Sequence, residues 1–240
     1  MPTHLPSLGN RQGLVNLLAP FEGIASGRCF VMGTGPSLLG ISRKLKRLLK
    51  KEVTIGAGTF IDVPGWFTPT YTMCREYNAG MKVEEAAIGI QKLNMPRWLL
   101  CPFLSDPGIV GREPTSEFFW KVRKWHWVFA DPNLHIEDWV PEKPLWRLPM
   151  LGHNAALQTV PMLWWMGFTE IYLLGCENTP VGYAYNQEQK RPWADTATVQ
   201  QMALSLVEKL EPLGTVLKDC TEDGLLTIPK ARLIEVLTAA

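Results

Sequence analysis

The sequence predicts a single α/β domain with a mostly parallel, Rossmann-like sheet, helices on both faces and an irregular, aromatic-rich insertion. Three observations predict this fold. Apolar runs of strand length alternate with helix-length periodic segments, glycines follow the first two runs, and 46% of the 240 residues are hydrophobic, enough for one sizeable core. We expect one domain over 1–240, divided into an N-terminal half (28–103), an insertion or lid (104–150) and a C-terminal half (151–240).

The N-terminal half contains four predicted strands. Residues 28–32 form a continuous apolar run, which is typical of a strand buried on both faces. The leucines and the isoleucine of 41–49 recur on one side of a helix, and lysines and arginines fill the other side. That basic side is typical of a solvated helix face; attraction of an anionic ligand or docking of an acidic partner are the alternatives. The other predicted elements are strands at 52–55, 70–74 and 97–103 and helices near 12–18 and 83–93.

The insertion and the C-terminal half differ in regularity. Within 104–150, only residues 125–130 have a clear strand pattern, and the proline and aromatic residues around them are typical of a lid or of covering loops. An apolar helix is predicted at 151–166, with a kink or restart at Pro161, whose ring removes a backbone donor. The remaining predictions are strands at 171–175 and 216–220, a helix at 197–210 and a helical turn at 233–237.

The overall composition indicates a soluble cytoplasmic protein. The formal net charge of +1 gives no field that attracts nucleic acid, and no apolar run approaches the roughly 20 residues that cross a membrane. The five cysteines are scattered without metal-ligand spacing, so we expect buried free thiols, a reducing compartment and no metal site. The ten tryptophans are expected in the core; any that stay exposed would mark a binding surface or a homo-oligomer contact.

The strongest candidate for a binding site is the loop at 33–37, between the first strand and the first helix. Glycines at such a junction let the backbone approach a ligand, and the start of a helix favours an anion, so phosphate is the expected guest. The spacing is neither G-x-G-x-x-G nor a Walker A motif, and a tight turn without a ligand is the alternative. The loop consists of Gly33, Thr34, Gly35, Pro36 and Ser37.

Parallel strands end at one edge of a sheet, so further candidates should gather beside this loop. Arg75 follows the third strand and could pair with phosphate, or with its neighbour on the surface. His153 titrates near neutral pH and is a candidate acid or base, or a structural histidine. Glu177 could accept ribose or sugar hydroxyls, and the phenols of Tyr183 and Tyr185 could donate to phosphate. The other candidates at this edge are Gly56, Ala57, Gly58, Gly152 and Asn154.

Separated segments of the sequence resemble a known group of proteins. Residues 30–38 are similar to the opening strand and Gly-x-Gly-Pro-Ser-Leu loop of the bacterial lipooligosaccharide sialyltransferases. The same loop occurs in the related DUF115 group, which includes motility-associated glycosylation factors and the archaeal 6-hydroxymethylpterin diphosphokinase. Residues 167–177 resemble the late strand of these proteins, and 219–226 resemble their closing strand and turn.

The resemblance implies a metal-independent glycosyltransferase that uses a nucleotide-sugar co-substrate and no tightly bound cofactor. The N-terminal half would bind the nucleotide, with the donor phosphate on the loop at 33–37. Tyr183 or Tyr185 would stabilise the leaving phosphate, and His153 is the candidate general base.

The chain also departs from the pattern of this group. Thr34 and Ala57 stand where asparagines are usual, Glu177 stands for an aspartate, and 186–199 contains no histidine, where the group's base is expected. Two alternatives therefore stay open. One is an ATP-dependent enzyme like the 6-hydroxymethylpterin diphosphokinase, and the other is a non-catalytic nucleotide-binding module that has lost its general base.

Overall fold

The described part of the computed structural model contains an eight-stranded, all-parallel sheet and a separate two-stranded hairpin. The structure describes residues 23–58, 60, 63–73, 99–104, 125–131, 134–141, 148–149, 151, 154–179, 181–184, 186–190 and 196–239. The strands of the large sheet are β1 (Arg28–Met32), β2 (Val53–Ala57), β3 (Tyr71–Met73), β4 (Leu99–Leu104), β5 (Trp125–Asp131), β6 (Leu148–Pro149), β7 (Glu170–Leu174) and β10 (Val216–Asp219). Strands β8 (Val181–Tyr183) and β9 (Asn186–Lys190) form the antiparallel hairpin.

Helices cover both faces of the sheet. The described α-helices are α1 (Arg43–Leu49), α2 (Ala155–Met166), α3 (Thr196–Leu210) and α4 (Leu233–Thr238), and short 3₁₀ helices occur at Pro36–Gly40 and Glu211–Leu213. The predicted α/β class is confirmed, and each strand predicted from an apolar run lies within about two residues of its expected position. The predicted helices at 12–18 and 83–93 lie outside the described residues.

Strand β1, at the centre of the sheet, is buried on both faces. In β1, Cys29 and Val31 face the core beneath α2 and α3, whereas Phe30 and Met32 face the core beneath α1 and α4. All four side chains are completely buried. A strand covered on both faces needs apolar residues at every position, which explains why its sequence is a continuous apolar run.

Helix α2 runs through Pro161, so the predicted restart at this proline is wrong, whereas the predicted kink stays a prediction. Asn154 caps the helix by accepting a hydrogen bond from the Leu157 amide at 3.0 Å, and Gly167 ends it in the left-handed conformation at φ 104°. Every residue from 156 to 166 is buried. A proline inside a helix costs about 3 kcal/mol, but each large apolar side chain contributes about 1.5–3 kcal/mol when buried, so the packing outweighs the lost hydrogen bond.

The hairpin and β6 were not predicted. The hairpin lies in the polar stretch that follows β7, where no apolar alternation marks a strand. Among the described residues, its two strands pair with each other and not with the large sheet. Strand β6 has only two residues and pairs with the end of β5. Among the described residues, no helix is long and apolar enough to cross a membrane.

Candidate functional site

The strand order reverses between β1 and β7, and we call this position at the carboxyl edge of the sheet the crevice. The sheet runs β10-β7-β1-β2-β3-β4-β5-β6, so the chain builds outward from β1 in one direction as far as β6 and then returns to the other side of β1. The connections that leave β1 and β7 therefore diverge at the carboxyl edge of the sheet. Open α/β sheets bind their ligands at such a reversal of strand order. The two chain segments that line this position are the loop at 33–37 and residues 175–178.

The glycines of the first loop are required by close packing against the segment after β7. The Gly33 amide donates to the Leu174 carbonyl at 2.7 Å, and the Gly35 amide donates to the Gly175 carbonyl at 2.8 Å. A Cβ atom at Gly33 would overlap the Gly175 carbonyl oxygen. Neither Gly33 nor Gly35 has a positive φ, so available space, not backbone conformation, makes glycine necessary at both positions.

The carboxylate of Glu177 occupies the space that a side chain at Gly35 would fill. A Cβ atom at Gly35 would overlap this carboxylate. Its Oε1 atom accepts a hydrogen bond from the Ser37 amide at 2.6 Å. With the Gly33 and Gly35 amides also engaged, three of the four peptide N–H groups of the loop donate within the protein. The position expected to bind phosphate therefore already holds an anionic group of the protein itself.

Two oxygen atoms beside this contact lack hydrogen-bond partners among the described residues. They are Glu177 Oε2 and Ser37 Oγ, and both atoms are buried. Glu177 as a whole is only 5% exposed. A buried acceptor without a donor costs about 1–3 kcal/mol, and more when it is charged, so each of these atoms needs a donor such as a ligand hydroxyl or an ordered water.

The segment that carries Glu177 is held by β10 and the turn after it. Thr221 Oγ1 accepts from the Cys176 amide at 3.1 Å, and the Glu177 carbonyl accepts from the Leu225 amide at 2.9 Å. Asp219 is buried, accepts from the Thr221 amide at 2.8 Å and pairs with Lys230 at 2.6 Å. The turn therefore fixes the height of the Glu177 backbone above the sheet.

Asn178 and Thr221 are residues of this site that the sequence analysis did not predict. Asn178 has a left-handed backbone at φ 55°, and its Nδ2 atom donates to the Thr196 carbonyl at 3.2 Å. Asparagine adopts this conformation more readily than most residues. Its position directly after β7 was the signal available in the sequence, as it was for Thr221 after β10.

The hairpin β8–β9 lies against the same loop. The Ala184 amide donates to the Thr34 carbonyl at 2.8 Å, which brings Tyr183 beside the loop at 33–37. Tyr183 is half-buried. Tyr185 lies outside the described residues, so its predicted role stays a prediction.

The second glycine segment lies against the start of α2. Gly56 and Ala57 belong to β2 itself, and a Cβ atom at Gly56 would come within 2.8 Å of the Phe60 ring. Gly58 follows in the left-handed conformation at φ 61°, and a Cβ atom there would lie 3.6 Å from that of Ala155. Asn154, predicted as a ligand contact, uses its side-chain oxygen to cap α2. The candidates Arg75, Gly152 and His153 lie outside the described residues.

The buried thiols of this region are not nucleophiles. Burial raises the pKa of Cys176 far above its ordinary value, and the negative charges of Asp219 and Glu177 raise it further. Burial, with the charge of Asp219, raises the pKa of Cys220 to about 12. Cys29 is also buried and free, and burial raises its pKa well above the ordinary range. All three remain protonated at neutral pH, and thiol chemistry depends on the thiolate.

Solved structures with this fold include two glycosyltransferases. The MAf glycosyltransferase from Magnetospirillum magneticum AMB-1 is 13% identical with a TM-score of 0.57, and the match covers 92% of this chain and 39% of that one. The present chain thus spans about two fifths of the MAf glycosyltransferase. The sialyltransferase CstII from Campylobacter jejuni, in complex with the substrate analogue CMP-3FNeuAc, is 14% identical with a TM-score of 0.56; the match covers 86% of this chain and 87% of CstII.

The chain shares the fold of these two enzymes. At such low identities the likeness concerns the fold alone. No family model and no curated protein matches the sequence.

Proposed function

We propose that this protein is a metal-independent glycosyltransferase that binds a nucleotide-sugar donor in the crevice between β1 and β7. The observation that carries the proposal is the buried, unpartnered Oε2 atom of Glu177 at the reversal of strand order, within the described part of the chain. The fold shared with the two glycosyltransferases supports it.

Glu177 selects the part of the donor that binds beside it. A hydroxyl group of ribose or of the sugar donates a hydrogen bond to a carboxylate, whereas phosphate is a second anion and is repelled by it. We therefore assign a hydroxyl-bearing part of the donor to Glu177. The phosphate lies on the side of the loop towards Tyr183, whose phenol hydroxyl donates to it as charge develops on the leaving group.

The reaction transfers the sugar from phosphate to an acceptor hydroxyl. The acceptor oxygen attacks the anomeric carbon, the bond from that carbon to the phosphate oxygen breaks, and the nucleotide leaves with the electron pair. The proton of the acceptor passes to a general base, for which His153 is the candidate because it immediately precedes the cap of α2 in the chain.

Calorimetric titration of the purified protein tests the donor site. The panel contains CMP, CMP-, UDP- and GDP-sugars, and ATP with and without magnesium. We expect a nucleotide sugar to bind in the presence of a chelator. Binding of ATP only with magnesium would favour the pterin diphosphokinase alternative, and donor binding without transfer or hydrolysis would favour the non-catalytic module. Failure of every nucleotide to bind would contradict the proposed site.

The role of Glu177 has its own test. Glu177→Gln keeps the size of the side chain but replaces one acceptor oxygen with a donor and removes the charge, so we expect about 10- to 100-fold weaker donor binding. The matched control is Glu208→Gln, on the exposed side of α3, which should leave affinity unchanged. A nucleotide without the two ribose hydroxyls separates ribose from sugar as the group bound by Glu177. If Glu177 binds the ribose, this nucleotide should bind to Glu177→Gln about as tightly as to the natural protein.

A further inference from the structure

Helix α1 and the two residues after it present a dense basic face. The face contains six cationic residues within nine positions, and five of them are exposed. Its apolar residues Leu45, Leu48 and Leu49 pack against the core, so the cations lie on the outside. The basic face consists of Arg43, Lys44, Lys46, Arg47, Lys50 and Lys51.

Within the part of the chain that the structure describes, no opposite charge pairs with this face. The sequence contains no aspartate or glutamate between Gly23 and Lys51, and the six cations form no ion pair within the described residues. The next acidic residue, Glu52, already pairs with Arg28 at 2.8 Å. The charge of the face is therefore directed to the solvent.

The stability of the helix does not explain these charges. Cations in the last turn suit the negative end of the helix dipole, but Arg43 and Lys44 stand in the first turn, where they oppose its positive end. Within the helix, the cations also form two like-charge pairs at i,i+3 and one at i,i+4, all of which repel. The face thus works against folding, and its charges are expected to act on something outside the chain.

The surroundings of the face favour a membrane surface over other anionic partners. Leu39, 40% exposed, lies four residues before Arg43 and is an apolar side chain available for contact with lipid. Lys46 lies 4.6 Å from the centre of the Trp66 ring, so it occupies a ring that a nucleic-acid base would need for stacking. The cations follow one another along a short helix and the two residues after it, and such a compact polybasic segment is typical of binding to anionic lipids.

The charge of the rest of the chain is negative, so attraction to anions is confined to the basic face. The chain has 24 basic and 23 acidic residues; without the six cations of the face, 18 basic residues remain against 23 acidic ones, a net charge of −5. The field of the basic face is thus local, and the rest of the surface is repelled by anions.

We propose that the basic face docks the protein peripherally on a membrane surface that contains anionic lipids. Helix α1 starts at the carboxyl edge of the sheet, directly after the loop at 33–37 and its 3₁₀ helix, so docking brings the crevice edge close to the lipid surface. The proposal concerns a different surface from the donor site, and either one can fail without the other.

Vesicle sedimentation tests the proposal with the full chain. Vesicles of phosphatidylcholine alone are compared with an equal mixture of phosphatidylcholine and phosphatidylserine. We expect binding only to the anionic vesicles, and its loss at about 0.5 M salt, where charges are screened within a few ångströms. Each basic residue near such a surface contributes roughly fivefold, so Arg43→Gln/Arg47→Gln should weaken partitioning about 25-fold.

Matched controls separate this docking from general charge and from folding. Lys209→Gln/Arg232→Gln removes the same two charges from other elements and should leave partitioning unchanged. Arg43→Gln/Arg47→Gln should melt at or above the temperature of the natural chain, because repulsion is relieved. Equal binding to neutral and anionic vesicles, or equal losses of binding in the two double variants, would overturn the proposal. The proposal would also be overturned if the protein bound polyglutamate or single-stranded DNA but did not bind anionic vesicles.

Discussion

Gly33 and Gly35 look equivalent in the sequence, yet the structure gives them different requirements. A side chain at Gly33 would overlap the backbone of Gly175, which is fixed by hydrogen bonds between the two loops. The atoms nearest to a side chain at Gly35 would be those of the Glu177 carboxyl group, the end of a flexible side chain and not backbone. The first glycine therefore serves the packing of the fold, and the second serves the placement of Glu177.

This difference predicts that alanine substitutions at the two glycines affect different properties, stability at Gly33 and donor binding at Gly35. Gly33→Ala should lower the free energy of unfolding by about 1–3 kcal/mol or more, because backbone must move to make room. Gly35→Ala should cost less stability but should weaken donor binding about as much as Glu177→Gln does. Urea unfolding and donor titration of the two variants check this, with Gly40→Ala, where a Cβ atom meets nothing within 4 Å, as the control. Equal losses of stability in the two variants would contradict the assignment.

At the scale of single elements, the start of α2 is held by side chains beside the candidate site. Asn154 was predicted to contact a ligand, but its Oδ1 atom accepts from the Leu157 amide and thereby satisfies one of the free donors at the start of the helix. Gln158, fully buried, accepts from the Leu151 amide at 2.9 Å and donates to the Pro149 carbonyl at 2.7 Å. The start of the helix is thus tied to the end of the sheet.

The cap makes a prediction about stability. Asn154→Ala removes the acceptor and should lower the free energy of unfolding by about 1 kcal/mol, whereas Asn154→Ser retains an acceptor and should cost much less. Chemical denaturation of the two variants measures the difference. If Asn154→Ala leaves stability unchanged but abolishes donor binding, the residue acts on the ligand and not on the helix.

Helix α1 shows the opposite balance at the same scale. Its three like-charge pairs each cost about 0.2–0.5 kcal/mol, so together they lower stability by about 0.6–1.5 kcal/mol. The burial of Leu49, which is completely inaccessible, and the packing of Leu45 and Leu48 offset this cost.

At the scale of the whole molecule, Arg28 joins distant parts of the chain. Its Nε and Nη2 atoms donate to the two oxygens of Glu52 at 3.0 and 2.8 Å, and its Nη1 atom donates to the Val236 carbonyl at 2.6 Å. Hydrogen bonding to Glu52 raises the pKa of the guanidinium above its ordinary value. One side chain thus ties β1 to the start of β2 and to α4, 208 residues away.

Loss of this connection should destabilise the protein. Arg28→Gln should lower the free energy of unfolding by about 1–2 kcal/mol, and Arg28→Lys should recover only part of it, since lysine cannot form the two parallel bonds. The control is Arg232→Gln, whose exposed pair with Glu235 should contribute below about 0.5 kcal/mol. Thermal and urea unfolding compare the three variants, and equal effects at Arg28 and Arg232 would argue against a long-range role.

The strands at the centre of the sheet and the location of the candidate loop could be predicted from the amino-acid sequence alone. Residues 28–32 and 170–174 are apolar at nearly every position because both of their faces are buried, and burial leaves that local record in the sequence. The glycines at 33 and 35 likewise indicated a place where two chain segments approach closely. The helices α1, α2 and α3 followed from their periodicity or apolar length.

The group that lies in that loop could not be predicted before the folded chain was described. Glu177 reaches the Ser37 amide from 140 positions further along the chain, and no local pattern can name so distant a partner. The strand order that makes β7 the neighbour of β1 has the same origin, because apolar runs show that strands are buried but not beside which others they lie. The loop predicted to hold phosphate therefore holds a carboxylate of the protein, and its unsatisfied oxygen is a feature that folding alone creates.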